Sequence, residues 1–102
     1  MRENAFIDWL EIVDGRDKRQ TRDNVSRARR VENALTEYLQ RSVSLEVEYN
    51  QDRCASTLEN LSIESAGKIP VTINLPKDKN GLSSLRTAVN KYIKFCDETK
   101  YV

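Results

Sequence analysis

Two stretches of this chain carry apolar residues at the spacing of one helical face, and they leave little room for any architecture but a helical one. In residues 21–40, Val25, Ala28, Val31, Leu35 and Leu39 return every three or four positions. In the stretch after Asn80-Gly81, Leu82, Leu85, Val89, Tyr92, Ile93 and Cys96 do the same. A period near 3.6 identifies amphipathic helices whose inner faces must be covered. A helix of twenty residues is about 30 Å long, enough to span a small domain.

A shorter first helix is expected over Asn4–Val13, where Phe6, Ile7, Leu10 and Val13 share a face with Trp9 alongside, and Gly15 is its stop. Residues 16–20 are read as a polar connector and Thr21 as the N-cap of the second helix, through its hydroxyl. A short helix is expected over Gln51–Leu61, capped by Asn50 or Asp52.

Two segments are ambiguous. Val43, Leu45, Val47 and Tyr49 alternate with polar residues, as do Ile69, Val71, Ile73 and Leu75, which is the period of a strand. An isolated two-stranded ribbon is marginal, and Pro70 and Pro76 restrict the second segment to an edge. Extended loops packed on the helices are therefore preferred to a hairpin. The Asn80-Gly81 pair is read as a turn. The expectation is an all-α domain of four helices, two long and two short, around one core.

With 102 residues the chain is one domain by size. No apolar run approaches the roughly 20 residues of a membrane helix, and the acids among the first residues do not suit a signal peptide. A soluble cytoplasmic protein is expected. Cys54 and Cys96 lie far apart, there is no histidine, and no Cys-x-x-Cys occurs, so packed thiols are expected rather than a metal site. No Gly-rich phosphate loop or paired-carboxylate site stands out, and neither cofactor nor catalysis is expected.

The net charge of +1 conceals segregation. Residues 16–30 and 67–94 are net positive, and residues 1–15 and 31–66 net negative. A local field of this kind bears on partners even where the net charge does not. At 100° per residue, Ser26, Arg30, Asn33 and Glu37 lie opposite the apolar stripe of the second helix. Arg22 and Arg29 occupy one shoulder and Arg27 the other. On the last helix, Ser83, Thr87, Asn90, Lys91 and Lys94 face away from the core, with Arg86 at the margin. Arginine and lysine neutralise phosphates, and hydroxyls and amides bond to phosphate oxygens or base edges. An ordinary solvated face, with Glu32 paired to Arg29, is the plainer alternative.

Three stretches also share a pattern: FIDWLE, QTRDNVSRARRVENAL and GLSSLRTAVNKYIKF. Their succession resembles the N-terminal core-binding domain of tyrosine recombinases and phage integrases. The matching positions are Phe6, Trp9 and Leu10; Thr21, Val25, Ser26, Arg27 and Arg30; and Leu85, Ala88, Tyr92, Ile93 and Phe95. Residues 42–80 carry the resemblance weakly and look longer than the equivalent connection in compact family members.

The resemblance implies an orthogonal SAM-like bundle of four to five helices, with an extended loop region between the third and last. It implies that the second and last long helices approach duplex DNA. Lys18, Arg19, Arg22, Ser26, Arg29 and Arg30 on one side, and Thr87, Asn90, Lys91 and Lys94 on the other, would make the contacts. It further implies a partner catalytic domain, C-terminal in a longer parent chain, that supplies the tyrosine nucleophile. Tyr38, Tyr49, Tyr92 and Tyr101 are read here as core or surface aromatics, Tyr101 as a frayed end. The expected function is a non-catalytic DNA-binding module, monomeric in isolation. The alternative is a helical protein-interaction or regulatory module without DNA affinity.

Overall fold

A computed structural model describes residues 1–100; Tyr101 lies outside them. The described residues form an all-α bundle of six helices: α1 (Glu3–Ile12), α2 (Lys18–Leu39), α3 (Leu45–Asp52), α4 (Ala55–Asn60), α5 (Ile63–Ala66) and α6 (Lys79–Thr99). The two long amphipathic stretches become α2 and α6, which pack against each other more extensively than any other pair. Helix α1 lies on both of them.

The boundaries follow capping chemistry rather than the start of the apolar stripe. Helix α2 begins three residues before Thr21, because Asp17 and Gln20 form a reciprocal capping box. The Gln20 backbone N–H donates to Asp17 Oδ1 at 2.8 Å, and the Asp17 N–H donates to Gln20 Oε1 at 3.2 Å. Thr21 is therefore not the N-cap; it sits inside the first turn, buried. Helix α6 likewise starts before the expected turn. Asp78 caps it by accepting from the Gly81 N–H at 2.8 Å, so Asn80-Gly81 belongs to the first helical turn. Gly81 is needed there, since a Cβ would come within 2.6 Å of the Pro76 side chain.

The segment expected to be extended over residues 42–49 is helical from Leu45 onward. Its alternation was misleading because the residues that point inward are Leu45 and Glu48, at helical spacing, while Val47 is exposed. The buried Glu48 carboxylate is held by the Arg41 guanidinium at 3.0 Å. The helix expected over residues 51–61 is divided. Arg53 and Cys54 adopt left-handed backbone (φ 56° and 63°), ending α3 and restarting the chain as α4. Residues 69–75 are loop, as preferred, with Ile69, Ile73 and Leu75 buried and Val71 exposed. The Lys77 ammonium ties this loop together by donating to the carbonyls of Ala66, at 2.6 Å, and Ile69.

The centre of the bundle is aromatic. Phe6 and Tyr92 meet edge to face with centroids 5.0 Å apart, and Phe95 lies 5.5 Å from Phe6 and 5.3 Å from Tyr92. Tyr92 is buried, and its hydroxyl is fully used. It donates to Glu46 Oε2 at 2.7 Å and accepts from the Arg2 backbone N–H at 2.8 Å, linking the N-terminus, α3 and α6. Cys54 and Cys96 are buried free thiols, and burial pushes them up to about 12 and about 11 respectively. No helix among the described residues is long and apolar enough to cross a membrane.

Candidate nucleic-acid interface

Helix α2 shows its polar face in two neighbouring grooves. In the first, Lys18, Arg22, Ser26 and Arg29 form one wall, and Glu3, Ile7 and Glu11 of α1 form the other, over Thr21 and Val25. In the second, Ser26, Arg29, Arg30, Asn33 and Glu37 meet Asn74 of the loop before α6. The amphipathic pattern fixes this arrangement. Once Val25, Ala28, Val31 and Leu35 point inward, the arginines have only the shoulders and the outer face left.

Several of the cations are already engaged. Arg29 is ion-paired with Glu3, not with Glu32. Glu32 instead receives the N-terminal ammonium of Met1 at 3.3 Å and the Leu45 N–H at 2.8 Å. Arg30 donates to the carbonyl and side-chain oxygens of Asn74, both at 3.1 Å. On α6, Lys91 is paired with Asp14 at 2.7 Å, and Asp14 also takes Arg16 at 2.8 Å. Burial pushes the Asp14 carboxyl up, but its hydrogen bonds from Lys91 and Arg16 outweigh that and leave it below the usual carboxylate range.

The α6 residues are divided in the same way. Asn90 and Lys94 line a groove shared with Asp52, Arg53 and Leu58 of the α3–α4 region and with Asp97. There Arg53 and Tyr49 both donate to the Asp97 carboxylate, holding it down at about 2. Thr87 is exposed and spends its hydroxyl on the Ser83 carbonyl at 2.9 Å.

The ten expected contact residues therefore do not form one continuous platform. Arg22, Ser26 and Arg29 converge on the α1–α2 groove, Arg30 on the loop, Lys91 on the α1–α2 connector, and Asn90 and Lys94 on the α3–α4 side. Among the described residues, no hydrogen bond or ion pair joins a member of the α2 set to a member of the α6 set. What remains is a cluster on the first half of α2. Lys18, Arg19, Arg22 and Arg27 are exposed and have no ion-pair partner among the described residues. Arg27, on the opposite shoulder of the helix, is likewise exposed and without a carboxylate partner, although the resemblance alone did not point to it as a contact residue. Glu3 and Asp14 as neutralising partners were not readable from sequence, because each pairing joins residues remote along the chain.

No family model, no curated protein and no solved structure matches this chain.

Proposed function

We propose that this chain is a non-catalytic DNA-binding module that engages the phosphates of a duplex mainly through the first half of α2. The observation that carries this reading is four exposed, unpaired cations within the first half of α2, Lys18, Arg19 and Arg22 with Arg27 on the opposite shoulder, in a protein whose net charge is only +1. Most other basic side chains that reach the same face are held by carboxylates or carbonyls, as Arg29 is by Glu3 and Arg30 by Asn74. The resemblance of residues 6–11, 20–35 and 81–95 to recombinase core-binding domains supports the same reading, with the chemistry of strand exchange supplied by a separate domain. Cytoplasmic residence fits it.

Glu11 on the α1 wall repels a strand laid in the α1–α2 groove, and Glu3 there already neutralises Arg29, so the duplex is expected over the outer side of α2. Contacts would be electrostatic and of low sequence selectivity, with affinity in the range of ~10⁻⁴–10⁻⁶ M that is typical of non-specific binding. Fluorescence anisotropy with a labelled duplex at low salt tests this. Salt-sensitive binding is the expected result, and no binding at low salt overturns the reading. A protein-interaction module is the second reading, favoured by the exposure of Ile12 and Val13 at the end of α1.

A further inference from the structure

Between α5 and α6 the chain makes a loop, residues 67–77, that contains no acid and carries Lys68 and Lys77. The nearest acids along the chain are Glu64 and Asp78, and Asp78 is committed to capping α6. The loop is anchored from inside. Ile69, Ile73 and Leu75 are buried, and the Lys77 ammonium donates to the carbonyls of Ala66 and Ile69. The Ile73 N–H donates to the Pro70 carbonyl at 3.1 Å, which makes Val71 and Thr72 the corner of a tight turn. That corner is turned to solvent. Pro70 and Thr72 are exposed, and Val71, at 88%, is the most exposed large apolar residue among those described. A corner held by buried anchors has little conformational freedom left to lose on binding.

The loop stands beside the outer face of α2. Asn74 walls a groove with Ser26, Arg30, Asn33 and Ala34, and it accepts both Arg30 hydrogen bonds. Ala34 lies two turns beyond Arg27, so the helical period puts Arg27 on the loop's side of α2. Arg22 and Arg30 are about 12 Å apart along the helix axis, comparable with the width of a DNA groove. A strand held by the first half of α2 thus presents its neighbouring groove to the loop. The minor groove, about 6 Å wide, takes a single turn of chain but not a helix, and apolar side chains, proline among them, serve as wedges there. We propose that the corner of Pro70, Val71 and Thr72 enters the minor groove beside the strand held by α2, with Val71 against the sugar and base edges and Lys68 on a flanking phosphate. The proposal rests on the reading of α2 as a DNA surface and adds to it a second, non-electrostatic contact.

Anisotropy titrations test it with an A·T-rich duplex, with the same duplex saturated by the minor-groove ligand netropsin, and with vesicles of phosphatidylserine and phosphatidylcholine. Val71→Asp should weaken binding to the free duplex by at least about tenfold. Ile12→Asp, the same charge change at the exposed end of α1, should leave that affinity nearly unchanged. Val71→Ala should lower affinity without altering the slope of log K against log salt, whereas Lys68→Ala should make the slope shallower by about 0.9. Netropsin should bring the wild type down to the level of Val71→Asp. A wild type that binds the duplex but responds neither to Val71→Asp nor to netropsin overturns the proposal and leaves the reading of α2 standing. Absence of duplex binding overturns both. Binding to vesicles that Val71→Asp abolishes, with duplex binding untouched, assigns the corner to a lipid surface and overturns the proposal as well.

Discussion

Glu3, in the first turn of α1, is ion-paired with Arg29, near the middle of α2. The pair joins the acidic start of the chain to its most basic helix, and it removes one arginine from the surface available to a polyanion. Replacing Glu3 by Gln should therefore strengthen binding to a duplex and steepen the fall of log K with log salt by up to about 0.9, the increment for one added phosphate contact. The stability cost should stay below about 1 kcal/mol, since both side chains are partly exposed. Arg29→Ala should change affinity much less than Arg22→Ala. Titrations of the three variants with the same duplex check the order.

Tyr92→Phe should cost about 1–3 kcal/mol, although it removes one oxygen atom. The hydroxyl serves both the Glu46 carboxylate and the Arg2 N–H, and its loss leaves two groups short of a partner in a part-buried setting. Urea unfolding measures this directly. Phe95→Ala, at the centre of the aromatic cluster, should cost more, about 3–5 kcal/mol.

Stability should fall in acid through Asp97. Arg53 and Tyr49 hold this carboxyl at about 2, below the ordinary value near 3.8. A group depressed in the folded state contributes fully above its unfolded value and loses that contribution as pH falls toward the folded one, so the window runs from about pH 4 to about pH 2. The lowered carboxyls of Asp14 and Glu46 act in the same direction. Asp97→Asn should flatten the acid limb of a plot of urea midpoint against pH. An unchanged limb would assign the acid sensitivity elsewhere.

Asp17→Ala should destabilise the protein by about 1 kcal/mol, whereas a true N-cap at Thr21 would have made Asp17 dispensable. Thermal or urea midpoints of Asp17→Ala set against Asp17→Asn, which keeps an acceptor, separate capping from charge.

The parts of the fold that were legible in the sequence are those where one face is apolar for several turns. Val25 to Leu35 and Leu82 to Cys96 identify α2 and α6 because burying such a stripe requires a helix. The short helices were less legible. Glu48 occupies an inward position that an apolar residue would have advertised, and its burial depends on Arg41, seven residues earlier. The break between α3 and α4 depends on left-handed backbone at Arg53 and Cys54, where neither residue type signals it. The candidate site was legible as charge but not as availability. The helical period separates Arg29 from Arg27 by shoulder, but nothing local in the sequence shows that Glu3 takes the first and leaves the second unpaired.

The most direct test of the central claim is the salt dependence of duplex binding for wild type beside a variant with Arg19→Ala, Arg22→Ala and Arg27→Ala. The account predicts that the variant binds far more weakly at low salt, with the slope of log K against log salt shallower by about 2 to 3. Equal affinity and an equal slope for the two proteins would contradict it.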